Sequence, residues 1–198
     1  MSNRSDDFNR ADSTTSLGTP SDGGSAWVAT SGTWGLTSNK GYKVASFGTT
    51  QGAYLECSST QGAVQATIEL GSTQYPSLTG RMVDDNNYIQ CQIDTTALKA
   101  WKRVAGTWTQ LGSTYTGTIT TGDVISLTID SSNNITVKQN GTTRVTTSSA
   151  DHSSATKWGM LAYSTGPRFD DWSFTDSGGA AAASLIYCQP AIGPLLVR

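Results

Sequence analysis

Few residues of this 198-residue chain could carry acid–base chemistry. Glu56 and Glu69 are the only glutamates, and they lie on different predicted strands. Glycoside hydrolysis needs two carboxyl groups about 5–10 Å apart, one of them with a raised pKa. His152, the single histidine, lies in a polar stretch, and no Gly-x-Ser-x-Gly motif supplies a serine nucleophile. We therefore predict that the protein is not an enzyme, and we keep a glycoside hydrolase only as the third alternative.

Side chains that could bind a ligand alternate with apolar ones along the predicted strand from Asn87 to Asp94. Because successive side chains of a strand point to opposite faces, a core face of isoleucine and cysteine leaves tyrosine and glutamine on the other face. Aromatic rings together with planar polar side chains are typical of sugar-binding sites. Tyr88, Gln90 and Gln92 of this strand are predicted to bind a ligand. Arg81 and Trp101, on the preceding and following predicted strands, complete the predicted site. A solvated sheet face and a protein interface are the alternative interpretations.

One predicted turn offers oxygen ligands for a cation. Asp84 and Asp85, followed by Asn86 and Asn87, could bind calcium through carboxylate and amide oxygens. A turn closed by its own hydrogen bonds, without a metal, is the alternative interpretation. No other cofactor is expected.

The three cysteines, Cys57, Cys91 and Cys188, have no CxxC spacing, which argues against a structural zinc site. Cys57 and Cys91 lie in strand-like runs, where a buried free thiol is the simplest interpretation. One disulfide is the alternative.

Composition and charge exclude several classes of protein. Charged residues make up 14% of the chain, against about 25% in average soluble domains. The net charge of -2 argues against nucleic-acid binding. No apolar run of about 18 residues is present, so no membrane-spanning helix is predicted. The N-terminus lacks the apolar region of a secretion signal.

The elements that must position the candidate side chains are β-strands. Apolar residues recur at every second position in Gly62–Leu70, Asn87–Asp94 and Asp123–Asp130. Asn140-Gly141 favours a type I′ hairpin turn between two further strands. About ten short strands without a convincing helix predict an antiparallel sandwich or barrel.

Two segments differ from this pattern. Residues 11–41 are rich in turn residues and carry Trp27 and Trp34, which predicts an irregular segment that packs two aromatic rings against the sandwich. Residues 177–198 begin as a Gly/Ala linker and continue as an apolar tail. Because an exposed apolar tail is a liability for a monomer, the tail either folds back or docks on a neighbouring subunit. The predicted assembly residues are Leu185, Ile186, Tyr187, Ile192, Leu195, Leu196 and Val197.

Four motifs, in this order along residues 6–176, carry a resemblance to a known family. They are Asp6–Gly18, Trp27–Leu36, Gly80–Ile89 and Phe169–Phe174. Together they resemble the concanavalin A-like (laminin-G-like) jelly-roll domain, including forms found in bacteriophage virion proteins such as minor tail proteins. The resemblance implies an all-β, antiparallel two-sheet β-sandwich in which Asp6–Arg10 pairs near the last strand. The catalytic carboxylate motif of the superfamily's glucanases is absent.

These observations lead to one functional hypothesis and one main alternative. Residues 1–176 are predicted to form the jelly-roll domain of a bacteriophage structural protein, either a minor tail protein or a capsid decoration. We expect assembly in the host cytoplasm, display on the virion exterior, and anchoring by residues 177–198 to other virion proteins or to copies of itself. Binding of a cell-surface glycan would aid host attachment. The alternative is a carbohydrate-binding module of a bacterial surface or secreted protein.

Overall fold

The computed structural model describes residues 3–45, 50–71 and 75–178. Within these ranges the chain forms fifteen β-strands and no helix. The strands, in chain order, are β1 (Arg4–Asp6), β2 (Val28–Ala29), β3 (Trp34–Thr37), β4 (Lys40–Lys43), β5 (Gln51–Glu56), β6 (Gly62–Glu69), β7 (Pro76–Asp84), β8 (Asn87–Asp94), β9 (Ala97–Val104), β10 (Thr107–Thr116), β11 (Val124–Ile129), β12 (Asn134–Gln139), β13 (Thr142–Ser148), β14 (Lys157–Ala162) and β15 (Arg168–Asp176).

The strands form two antiparallel sheets. In the first sheet the order is β13-β12-β11-β6-β15-β4-β3, and β1 pairs with β15. In the second sheet the order is β10-β9-β8-β7-β14-β5-β2. The inner faces of both sheets contribute to one large hydrophobic core. The predicted antiparallel two-sheet β-sandwich is therefore confirmed.

The core follows from the period-two pattern of the central strands. In β6 the side chains of Val64 and Ile68 are fully buried, whereas Gln65 between them is exposed. The rings of Trp158 and Phe174, from opposite sheets, pack with their centroids 4.8 Å apart. Burial of apolar side chains is the main term that stabilises such a sandwich, at about 25 cal/mol per Å².

Two hairpin turns have a left-handed backbone at both central residues. Asn140 and Gly141 have φ values of 49° and 78°, which confirms the turn predicted between β12 and β13. Ala105 and Gly106, with φ values of 48° and 82°, make a similar turn between β9 and β10. The side-chain carbonyl of Asn87 accepts a hydrogen bond of 2.9 Å from the Ala105 amide, which supports this strained residue.

The first and last strands are neighbours, as the resemblance implies. Arg4 lies opposite Phe174 and Asp6 lies opposite Trp172, while the remainder of the expected Asp6–Arg10 segment lies beyond β1.

Residues 11–41 are more regular than the sequence pattern indicates, because they contain β2, β3 and the first half of β4. These strands are only two to four residues long, too short for a clear alternation. Trp27 and Trp34 are buried, so the predicted packing of the two rings is confirmed.

Cys57 and Cys91 are both buried, as predicted, and Cys91 is a free thiol. Burial raises the pKa of the Cys57 thiol to about 12, and it also raises the pKa of Cys91. Cys188 and all the predicted assembly residues of the tail lie outside the described residues. No stretch of the described chain forms a helix that is long and apolar enough to span a membrane.

Candidate functional site

The outer face of the second sheet carries a cleft of about 460 Å³. It lies over β7, β8, β9, β10 and the end of β14, and we call it the aromatic cleft. Its lining residues are Thr50, Tyr75, Ser77, Gln90, Gln92, Trp101, Trp108 and Tyr163.

Strand register places the central side chains of the aromatic cleft side by side. Gln90 of β8 lies opposite Trp101 of β9, and Ser77 of β7 lies opposite Gln92. Trp108 of β10 lies opposite Arg103, two residues after Trp101 on the same face. The turn at Ala105-Gly106 fixes this register, so a local turn decides which aromatic residue joins the cleft.

Two pairs of aromatic rings form the walls. The ring centroids of Trp101 and Trp108 are 6.2 Å apart, and those of Tyr75 and Tyr163 are also 6.2 Å apart. Trp108 is 38% exposed and Tyr75 is 41% exposed, so both present apolar ring surface to solvent. The indole N–H of Trp101 donates a 2.9 Å hydrogen bond to the side-chain carbonyl of Gln92, which fixes the orientation of both side chains.

One charged residue beside these walls, Arg103, is held by the protein itself. The Arg103 guanidinium lies 5.2 Å from the centre of the Trp108 ring, and its Nη1 donates a 2.6 Å hydrogen bond to the Asp85 carbonyl. All eight lining residues are uncharged. The cleft therefore combines aromatic rings, amides and hydroxyls without a carboxylate.

Three of the five predicted ligand-binding residues line the aromatic cleft, namely Gln90, Gln92 and Trp101. Tyr88 is on the expected face, but it is fully buried, so the expectation that it is accessible is wrong. Trp108 covers it, with the two ring centroids 5.5 Å apart. Burial raises the pKa of Tyr88 to about 12, although the nearby Arg103 guanidinium opposes this shift.

Arg81 does not line the cleft, which corrects its predicted place beside the glutamines. A bulge after Gly80 and a φ of 49° at Arg81 interrupt the strand alternation, and the side chain is 2% exposed. Its Nε donates to the Thr60 carbonyl at 2.7 Å and its Nη1 donates to Asn133 Oδ1 at 2.8 Å. A second acceptor of Nη1 is the Ser149 carbonyl at 3.4 Å. Arg81 is thus hydrogen-bonded to three loops, those between β5 and β6, between β11 and β12, and between β13 and β14.

The sequence interpretation missed five lining residues: Thr50, Tyr75, Ser77, Trp108 and Tyr163. The sequence did contain a signal for Trp108. Ala105-Gly106 marks a two-residue hairpin turn, and counting residues outward from that turn places Trp108 opposite Arg103. Tyr75 and Tyr163 lie just outside β7 and β14, where no alternation marks them. Their contact comes from the pairing of two strands that are distant in sequence.

Asp84 is the last residue of β7 and Asp85 begins the turn to β8, and both line a second cavity of about 490 Å³. The Asp84 carboxylate accepts hydrogen bonds from the Asn86 amide at 2.7 Å and from Asn87 Nδ2 at 2.9 Å. The hydrogen bond from Asn86 is the main cause that lowers the pKa of Asp84. Within residues 3–45, 50–71 and 75–178, no group of three or more His, Cys, Asp or Glu side chains is arranged to hold a metal ion.

The two glutamates are not partners. Glu56 belongs to β5 of the second sheet and Glu69 to β6 of the first. Glu69 forms an ion pair with Lys40, with 2.7 Å between Oε2 and Nζ. Neither glutamate lines the aromatic cleft.

No protein-family model matches the chain, and no curated protein matches it by sequence. Solved structures of similar fold include the carbohydrate-binding module CBM66 from Bacillus subtilis, with 13% identity, a TM-score of 0.56, and coverage of 76% of this chain and 92% of that one. The carbohydrate recognition domain of Emp47p has 11% identity and a TM-score of 0.56, with coverage of 88% and 95%. The Bacillus licheniformis beta-glucanase has 11% identity and a TM-score of 0.50, with coverage of 89% and 99%. The shared fold is a β-sandwich found in both lectin-like domains and glycosidases.

Proposed function

We propose that this protein is a non-catalytic carbohydrate-binding β-sandwich and that the aromatic cleft is its binding site. The observation that carries the proposal is the meeting of exposed aromatic surface, on Trp108 and Tyr75, with the amides of Gln90 and Gln92 in one cleft. The C–H faces of a sugar ring pack on aromatic rings, while its hydroxyls exchange hydrogen bonds with planar amides. An uncharged cleft of this composition suits such a ligand.

The arrangement of carboxylates supports binding without hydrolysis. A glycosidase needs an acid and a second carboxylate on either side of the scissile bond. No carboxylate lines the aromatic cleft, and the two glutamates belong to different sheets. The fold itself does not decide the matter, since the same sandwich serves binding domains and hydrolases.

Replacing Trp108 by alanine is expected to weaken glycan binding about ten-fold, equivalent to about 1.4 kcal/mol, because an aromatic stacking surface is lost. A glycan array identifies the ligand, and isothermal titration of wild type and Trp108→Ala measures the loss. Tyr42→Ala is the matched control, because Tyr42 lies in β4 of the first sheet. Undiminished binding by Trp108→Ala, or silence of the wild type on the whole array, would contradict the proposal. Release of reducing sugar from the bound glycan would contradict its non-catalytic part.

We also propose that the sandwich is displayed on the exterior of a bacteriophage particle, as a minor tail protein or a capsid decoration. The contrast between the polar sandwich and the apolar residues 185–197 supports this proposal. The last strand ends at Asp176, whose carboxylate accepts a 2.8 Å hydrogen bond from the Ser59 hydroxyl. The strand pairing of the sandwich is thus complete at residue 176. We propose that the tail binds other virion proteins or copies of this chain.

Deleting residues 177–198 is expected to abolish incorporation into particles and to leave the sandwich folded. Particle incorporation is measured by mass spectrometry of purified virions, and folding by the circular dichroism of the truncated protein. Normal incorporation of the truncated chain would refute anchoring by the tail. Glycan binding without any association with particles would favour the alternative, a binding module of a bacterial surface or secreted protein.

A further inference from the structure

Two buried polar atoms below the aromatic cleft have no hydrogen-bond partner within the described part of the chain. They are Thr79 Oγ1 and Gln90 Oε1. Thr79 and Gln90 lie directly opposite each other on β7 and β8, with side chains that are 0% and 4% exposed. The Gln90 side chain also lines the cleft. An unpaired acceptor therefore lies at the border between the protein interior and the ligand space.

Such an atom needs a donor. Buried polar groups in folded proteins are almost always hydrogen-bonded, because an unpaired one destabilises the folded state. The terminal amide of glutamine rotates easily about its last torsion, so it can turn its carbonyl toward the cleft. The hydroxyl of Thr79 can both donate and accept, so it can join a hydrogen-bond chain that begins at the ligand.

The lining also restricts the charge of the ligand. None of the eight lining side chains carries a charge, and the guanidinium of Arg103 is already bound to the Asp85 carbonyl. A carboxylate or ammonium group that enters the aromatic cleft loses hydration and finds no counter-charge among the eight lining side chains. Hydroxyl groups face no such penalty, because the amides of Gln90 and Gln92 can replace water.

We propose that the aromatic cleft selects uncharged glycans, and that Gln90, supported by Thr79, is the specificity-determining residue that accepts a ligand hydroxyl. This inference rests on the proposed carbohydrate-binding function. It adds the chemical class of the ligand and a residue that recognises it.

The first test compares one polymer in two charge states. Laminarin, mannan and arabinogalactan are first screened for binding to the full-length wild type. A neutral polysaccharide that binds is then oxidised, so that its primary hydroxyls become carboxylates. Affinity electrophoresis is expected to show binding to the oxidised polymer that is at least about ten-fold weaker. Equal retardation by both forms would overturn the selection for uncharged glycans.

The second test separates recognition from folding. Gln90→Leu removes the unpaired carbonyl, so its melting temperature should equal or exceed that of the wild type, whereas its affinity for the neutral polymer should fall about ten-fold. Gln65→Leu is the matched control, because Gln65 is exposed on β6 of the first sheet and lies outside the cleft lining. Unchanged affinity of Gln90→Leu would assign the amide a structural role and overturn the inference, while leaving the proposed function intact. If the wild type binds none of the three polymers or any array glycan, the proposed function fails, and this inference fails with it.

Discussion

Replacing Asp6 by asparagine is expected to lower the free energy of unfolding by about 3 kcal/mol. The Asp6 carboxylate is 0% exposed and forms a two-point ion pair with Arg10, with N–O distances of 2.7 and 2.8 Å. It also accepts hydrogen bonds from the indole N–H of Trp27 at 2.7 Å and from the Phe8 amide at 2.9 Å. Asparagine has a single acceptor oxygen, and its NH₂ group would face donors. Breaking a buried ion pair costs about 3–5 kcal/mol. We expect the lower value because the Arg10 side chain is 25% exposed, so water can partly solvate its charge.

The neighbouring carboxylate provides the control for this experiment. Asp7→Asn makes the same chemical change one residue later, where the exposed Asp7 carboxylate accepts a hydrogen bond from the Asn9 amide. Calorimetry should show a fall in melting temperature of about 6–12 °C for Asp6→Asn and about 2 °C or less for Asp7→Asn. Equal melting temperatures of the two variants would show that Asp6 does not hold the N-terminal segment.

Replacing Arg81 by methionine is the second large change, with an expected loss of about 3 kcal/mol. Methionine fills similar space but leaves the acceptors on Thr60, Asn133 and Ser149, which are partly or fully buried, without their donor. Relief of a buried charge offsets part of this loss, since burial lowers the pKa of Arg81. The acceptors belong to three separate connections, so the whole end of the sandwich should loosen.

Urea unfolding measures the effect of Arg81→Met. Arg144→Met is the control, because Arg144 is exposed and its guanidinium lies 4.7 Å from the centre of the Tyr115 ring. Glycan affinity measured well below the melting temperature should be unchanged, since Arg81 lies outside the aromatic cleft. A stable Arg81→Met variant with weakened glycan binding would restore the ligand-binding role that the sequence pattern indicated.

Much of the fold could be predicted because its signals are local. Alternation along β6 and β8 identifies the core-facing side chains, and Asn140-Gly141 marks its hairpin by its own backbone preference. The same alternation correctly placed Gln90 and Gln92 on the outer face. The short strands before residue 42 carry no such signal, because two to four residues cannot display a period.

The sequence by itself determined the class of fold, the core side of the long strands and the scarcity of acid–base groups, since these depend on residue types and on spacing along one strand. Only the tertiary structure decided which outer residues a ligand can reach. Tyr88 is covered because the register of β10 brings Trp108 over it, and Arg81 is withdrawn because a bulge reverses the alternation. The meeting of Tyr75 and Tyr163 depends on the pairing of β7 with β14. Accessibility is set by neighbours from distant parts of the chain, and a local pattern contains no information about them.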